Sequence, residues 1–233
     1  MKKSTYHKEL SELLQNLKNS PNQNKTSLLL HACCGPCSSY VLEYLADFFD
    51  ITILYYNPNI YPPEEYSRRL QELKDLLQKF PPSIKNNVSL IEDSYNPDDF
   101  YNWIQIKENP ELAKEAEKGE RCRRCYELRL IRSFEYAKKN NFDYFCTTLS
   151  ISPFKDAEKI NVLGNEIIQK ELEKNSNCKT KWLPSDFKKN SGFLRSLEIS
   201  QEYGLYRQQY CGCVYSKQNK EAFDEQQKIN NSQ

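Results

Sequence analysis

Seven of the nine cysteines in this 233-residue chain fall into three tight groups. They are Cys33-Cys34-Gly35-Pro36-Cys37, Cys122-Arg123-Arg124-Cys125 and Cys211-Gly212-Cys213. Neighbouring thiols form disulfides, pass electrons or hold a soft metal. A gap of two residues lets both sulfurs point at one centre, the arrangement used for zinc and for iron–sulfur clusters. Two such gaps and a doubled cysteine offer more thiolates than one tetrahedral zinc needs, which points to metal-centred redox chemistry.

The elements that must position these residues alternate between strands and helices. Ser27-Leu28-Leu29-Leu30-His31 is an apolar run suited to a buried parallel strand, and the first cysteines follow it directly. A helical pattern at 40–45, a strand at 51–56, a Pro/Asn-rich loop at 57–63 and a helix at 64–79 come next. Strands at 88–91 and 142–148 and helices over 97–117, 122–140, 156–173, 192–203 and 216–227 complete the pattern. This predicts an α/β fold with a doubly wound, mostly parallel, Rossmann-like sheet. In such sheets chemistry gathers at the carboxyl ends of the strands, where 33–37, 57–61 and 147–155 fall. The first cysteines would occupy a strand-to-helix turn, where the helix dipole favours thiolate.

Residues 5–19 read as an amphipathic helix with Leu10, Leu13, Leu14 and Leu17 on one face, broken at 20–24. The division expected is a helical N-terminal extension at 1–24, a catalytic α/β domain at 25–216, and a C-terminal helix with a frayed tail at 217–233. No stretch approaches the ~20 apolar residues of a membrane span, and the start lacks the apolar run of a secretory signal. A cytoplasmic location is therefore expected, where cysteine groups are more often ligands or redox catalysts than bridges.

A net charge of +1 gives no global sign of nucleic-acid binding. Locally, Arg121, Arg123, Arg124, Arg129 and Arg132 crowd the second cysteine pair, and Lys179, Lys181, Lys188, Lys189 and Arg195 cluster later. Both sets are candidates for holding an RNA backbone, against the plainer reading of solvated basic faces.

Three readings of the cysteines compete. Cys34-Gly35-Pro36-Cys37 reproduces the thioredoxin motif, but a dithiol oxidoreductase gives no task to the other two groups. A zinc knot, as in a nucleic-acid-binding protein, would use Cys33 or Cys34 with Cys37, Cys122 and Cys125 and leave Cys211-Gly212-Cys213 unexplained. An iron–sulfur centre accommodates the most thiols. A phosphate loop of the ATP-pyrophosphatase kind is unsupported, since only one glycine stands in His31-Ala32-Cys33-Cys34-Gly35.

Five blocks in order resemble the QueH family of cobalamin-independent epoxyqueuosine reductases over residues 26–216. They are His31 to Ser38, Tyr56-Asn57-Pro58-Asn59-Ile60, Arg121-Cys122-Arg123-Arg124-Cys125-Tyr126-Glu127-Leu128-Arg129-Leu130, Thr147 to Pro153, and Leu205-Tyr206-Arg207-Gln208-Gln209-Tyr210-Cys211-Gly212-Cys213. The resemblance implies a Rossmann-related HUP fold with a 4Fe-4S cluster and an adjacent mononuclear iron. It further implies reductive removal of the epoxide oxygen of epoxyqueuosine in the anticodon loop of tRNA, with an external electron donor. Carried over, Cys33, Cys34, Cys122 and Cys125 would hold the cluster. Cys37, where relatives can carry Asp, would hold the iron.

Cys211 and Cys213 are candidates for a redox relay or a clamp near the site, against a structural turn. Asp186 is a candidate proton donor, against a helix N-cap. His31 reads as hydrogen-bonded scaffold, Cys146 as core and Cys178 as a surface thiol. Tyr55, Tyr56, Asn57 and Asn59 would stack on and hydrogen-bond an extruded base, against plain core for the tyrosines.

Overall fold

The computed structural model describes residues 5–19 and 25–230. The expected break at 20–24 and the frayed extreme ends lie outside those residues. Five parallel strands form one sheet: β1 Thr26–His31, β2 Phe49–Tyr55, β3 Ser89–Glu92, β4 Tyr144–Thr147 and β5 Lys181–Trp182, in the order β3-β2-β1-β4-β5. β1 lies at the centre because its Leu28-Leu29-Leu30 run has no polar face. All three leucines are fully buried, Leu28 and Leu30 towards one helical layer and Leu29 towards the other.

The first layer contains α1 Thr5–Lys18, α2 Gly35–Leu45, α3 Pro63–Lys79 with the short α4 Pro81–Lys85, and, later in the chain, a helix at Gly192–Glu202. The second layer holds α5 Pro97–Ile104, α6 Glu120–Lys139 and α7 Ala157–Lys174. The Gly192–Glu202 helix is α8, and α9 Val214–Asn230 follows it. α1 shares the main core, with Leu10 and Leu14 buried and Leu13 and Leu17 packed against them.

From β1 the chain winds outward through β2 and β3, then returns to β4 on the other side of β1 and continues to β5. The strand order therefore reverses between β1 and β4, where the connections leave in opposite directions and open a crevice at the carboxyl ends. His31 and Thr147 face each other there in register, and the first cysteines follow His31 directly.

Two elements differ from the sequence reading. The helix expected over 97–117 stops at Ile104, because Gln105 adopts a left-handed conformation at φ 54°. Only a 3-10 turn, Pro110–Lys114, follows it, entered at a proline that has no amide hydrogen to donate. β5 was not expected, since its two residues carry no apolar pattern; it forms through the Lys181 amide to the Asp143 carbonyl and the Leu183 amide to the Phe145 carbonyl.

Asn161 joins α7 to the segment after β5. Its amide nitrogen donates to the carbonyls of Ala157 and Ser185, each at 2.8 Å. Its oxygen accepts from Trp182 Nε1 at 3.1 Å and from the Ser185 amide at 3.0 Å. Every hydrogen-bonding capacity of this buried side chain is therefore used. Asn161→Ala should lower unfolding free energy by about 3 kcal/mol in denaturant titration, and Val162→Ala, at an exposed position, by less than about 0.5 kcal/mol.

Candidate metal centre

The first cysteine group is set by the start of α2. Cys34 is the residue before the helix, in extended conformation, and Pro36 occupies a first-turn position that needs no amide hydrogen. Cys37 is thereby carried back over the preceding turn. The sulfurs of Cys33, Cys34 and Cys37 all lie within 4.8 Å of one another, and those of Cys33 and Cys34 are 3.9 Å apart. Gly35 is required by proximity to α3, since a Cβ there would meet the Glu72 carbonyl oxygen at 3.1 Å.

These three thiols share charge unequally. Hydrogen bonds from Cys34 and Cys37, aided by the cations Lys155 and Arg129, hold the Cys33 thiol well below its ordinary range despite burial. Burial and Cys33 push Cys34 up to about 12. Cys37 is pushed up by its hydrogen bonds to the same two sulfurs.

The second group lies across the crevice. Cys122 and Cys125 sit on consecutive turns at the start of α6, whose first amides are capped by the Glu115 carboxylate at 2.7 Å to both Glu120 N and Arg121 N. Cys122, Cys125, Cys211 and Cys213 line one small cavity together with Asn59, Arg121 and Arg129. Cys125 and Cys213 share an apolar layer with Cys33 and Cys34, and Cys37 and Cys122 pack against it.

Three buried cations stand among these sulfurs: Arg121 and Arg129, 1% and 2% exposed, and Lys155, 6% exposed. Among the described residues no carboxylate pairs with any of them. Arg129 donates through Nη2 to Cys125 Sγ at 3.3 Å and through Nε to the Cys125 carbonyl at 3.1 Å. Burial works against the charge of Lys155, but the sulfurs of Cys211, Cys33 and Cys37 more than offset it and hold its pKa above the ordinary lysine range. Arg121 donates through Nη1 to the Leu112 carbonyl at 2.5 Å, and its Nε and Nη2 have no partner.

The Cys211-Gly212-Cys213 turn is clamped from α3. Arg69 pairs with Glu65 at 2.7 Å and donates to the carbonyls of Cys211 at 3.2 Å and Tyr210 at 3.4 Å. Gly212 has φ +134°, which side-chain-bearing residues rarely adopt, and its carbonyl accepts from the Tyr61 amide at 2.8 Å. Gln208 donates to Cys34 Sγ at 3.0 Å, tying the turn to the first cysteine group.

A cavity of about 520 Å³ opens onto Cys37, Lys155 and Cys211, and Cys211 also lines the small cavity of Cys122 and Cys125. Asp186, the expected proton donor, lines neither cavity and pairs with Lys188 at 2.7 Å. His31 is fully buried, with Nδ1 2.8 Å from Thr147 Oγ1 and Nε2 3.0 Å from the Tyr56 carbonyl. Burial and Arg129 lower its pKa to about 4, so it is neutral scaffold, as expected.

Several expectations are corrected. Tyr55 and Tyr56 are core: the Tyr55 hydroxyl donates to the Tyr66 carbonyl, and that of Tyr56 to Asp99 Oδ2, so neither ring is available for stacking. Asn57 donates to the Ala32 carbonyl at 2.8 Å and braces the loop after β1. Cys146 is core, as expected, whereas Cys178 is half-buried and not a surface thiol. Within the basic clusters Arg123 and Arg124 pair with Glu120, Arg132 with Asp93, Lys188 with Asp186, and Arg195 with Glu43 and Glu198. Sequence reasoning missed Arg69, Gln208 and Lys155 as parts of the centre, although Lys155 ends the stretch marked at the carboxyl end of β4.

A parallel α/β sheet whose switch point carries Cys33, Cys34 and Cys37 close together is a scaffold that could hold a metal ion. The family model of the epoxyqueuosine reductase QueH matches residues 28–219. The chain is 42% identical over 192 residues to the epoxyqueuosine reductase QueH of Streptococcus pyogenes, covering 82% of this chain and 71% of that one. It is 39% identical over 214 residues to that of Staphylococcus aureus, covering 92% and 84%. With that of Acinetobacter baylyi it shares 37% over 194 residues, covering 83% and 81%. The chain belongs to the epoxyqueuosine reductase QueH family and is an oxidoreductase.

Arg69→Met should cost about 3–5 kcal/mol by leaving Glu65 buried without its partner. It should also free the turn, so that anaerobic alkylation followed by peptide mass spectrometry finds Cys211 labelled faster than in wild type.

Proposed function

We propose that the chain removes the epoxide oxygen of epoxyqueuosine at the tRNA wobble position, leaving queuosine. The observation that carries this reading is the close group of Cys33, Cys34 and Cys37 beside the buried Lys155, with Cys122, Cys125, Cys211 and Cys213 lining a second cavity around the buried Arg121 and Arg129. A dithiol exchange protein or a zinc knot would use at most four of those thiols. The reaction takes up two electrons and two protons, breaks both carbon–oxygen bonds of the epoxide, forms a carbon–carbon double bond and releases water. An external reductant supplies the electrons. Residues 25–216 are the catalytic unit in this reading.

The donor set fits a 4Fe-4S cluster with an adjacent mononuclear iron. Thiolates are the soft ligands such centres take. The unpartnered Arg121 Nε and Nη2 beside Cys122 and Cys125 are donors suited to an anionic group. Cys33, Cys34, Cys122 and Cys125 would hold the cluster and Cys37 the iron. When bound, these groups would supply electrons singly and a Lewis acid for the departing oxygen.

The remaining roles belong to the chain itself. Lys155 Nζ, lining the cavity, stabilises negative charge developing on the oxygen as it leaves. Arg129 offsets thiolate charge at Cys125 and fixes its orientation. Cys211 and Cys213 serve as a redox relay held by Arg69, with Cys211 at the cavity and Cys213 buried behind it. Asp186, paired with Lys188 and lining neither cavity, is the candidate for proton supply. No helix of the described residues is long and apolar enough to cross a membrane.

The direct test is anaerobic incubation with tRNA carrying epoxyqueuosine and a low-potential reductant, read by mass spectrometry of the digested nucleosides. Loss of one oxygen from the modified nucleoside is expected; an unchanged nucleoside with metal-loaded protein contradicts the reading. Cys122→Ala and Cys125→Ala should each lose iron, sulfide and turnover together, whereas Cys178→Ala should match wild type.

Cys37 separates the two metal roles. Cys37→Ala should keep most of the sulfide yet lose epoxide reduction, and Cys37→Asp should recover part of the turnover, because a carboxylate is an acceptable iron ligand. Equal loss of sulfide in both variants would assign Cys37 to the cluster.

A further inference from the structure

The cavity over the thiol centre has features that sulfur chemistry does not require. Among the described residues, the two most exposed large aromatic side chains are Phe154, 64% exposed, and Phe223, 56% exposed. They come from separate parts of the chain, Phe154 from the loop entering α7 and Phe223 from α9, yet both line this one cavity. Phenylalanine has no polar atom to satisfy in water, so exposing two such rings at one mouth costs stability unless something flat covers them. The cavity volume of about 520 Å³ lies within the ~300–1,000 Å³ typical of small-molecule sites.

The charge at this mouth is also distinctive. Arg207 lines the cavity, lies 5.7 Å above the Phe193 ring, and donates through Nη1 to the Ser196 carbonyl at 3.3 Å and Ser200 Oγ at 3.0 Å. Among the described residues no carboxylate pairs with it, unlike Arg123, Arg124, Arg132 and Arg195. Lys220, on the same wall, is paired with Asp224, and Glu117 is the carboxylate lining the cavity. The mouth thus combines flat apolar rings with a guanidinium held by neutral acceptors, a combination that suits one aromatic base and its phosphate.

We propose that Phe154 and Phe223 form a stacking clamp. It holds the modified base, extruded from its RNA loop, above Cys37 and Cys211, while Arg207 takes the adjoining backbone phosphate. This deepens, and rests on, the reading of the substrate as epoxyqueuosine in tRNA. Extrusion is needed because Cys37 and Cys211 belong to the wall of a cavity, which a base still stacked in its loop would not enter. The expected stacking residues Tyr55 and Tyr56 are core, and the clamp assigns that task to Phe154 and Phe223.

The test uses metal-loaded full-length protein and two anticodon stem-loop RNAs, one with epoxyqueuosine and one with guanine at the wobble position. Phe154→Ala and Phe223→Ala should each weaken binding of the modified RNA ~5-fold or more and raise KM, with kcat and iron content little changed. Leu at either position should be as poor as Ala, and Tyr should restore binding, because stacking rather than apolar area is at stake. Trp103→Ala, an exposed aromatic outside this cavity, should bind as wild type. Arg207→Gln should weaken both RNAs alike and flatten the salt dependence by about one phosphate contact.

Alanine variants that bind like wild type, with wild type binding and reducing the modified RNA, overturn the clamp alone. A wild type that holds iron but neither binds nor reduces that RNA overturns the substrate reading and the clamp with it. Alanine variants that alter only self-association in sedimentation would make the rim a contact between copies, and would equally overturn the clamp.

Discussion

The organisation of this protein depends on burying positive charge beside sulfur instead of carboxylate. Arg121, Arg129 and Lys155 lie inside the fold with no acidic partner among the described residues, a costly arrangement unless an anion is present. The groups beside them are cysteine sulfurs. Arg129 touches Cys125, and Lys155 is held charged by Cys33, Cys37 and Cys211. The cations pull Cys33, Cys122, Cys125 and Cys213 towards negative sulfur, against a burial that still holds all but Cys33 of these four above their ordinary range, a balance that a bound metal cation would tip.

The rest of the fold brings those sulfurs to one place. The reversal of strand order between β1 and β4 opens the crevice, and the start of α2 sets three thiols within one small volume. From the opposite layer α6 presents two more. The last two arrive on a turn that has little regular structure and depends on Arg69, itself buried against Glu65. A second charged pair, inside the α3 packing, thus supports the first set of charges from behind.

Much of this was legible in the sequence. The cysteine groups, the leucine run of β1 and the strand–helix alternation carry local patterns that survive folding, so the parallel sheet and the placement of Cys33–Cys37 at a strand end could be read directly. What could not be read is pairing. Arg123 and Arg124 look like Arg121 and Arg129 in sequence, yet helix periodicity turns the first two outward to Glu120 and the second two inward to the sulfurs. Tyr55 and Tyr56 looked like stacking platforms, whereas the exposure of Phe154 and Phe223 is a tertiary property. The two-residue β5 and the early end of α5 turn on single hydrogen bonds and one left-handed residue, below the resolution of any pattern.

The central claim is that the thiols hold iron and sulfide rather than zinc or a disulfide. The most direct measurement is metal and acid-labile sulfide analysis of protein purified without oxygen, together with its visible spectrum. About five irons and about four sulfides per chain, with a brown absorbance bleached by reductant, are expected. Zinc without sulfide, or a metal-free protein whose thiols cycle through a disulfide, would contradict it.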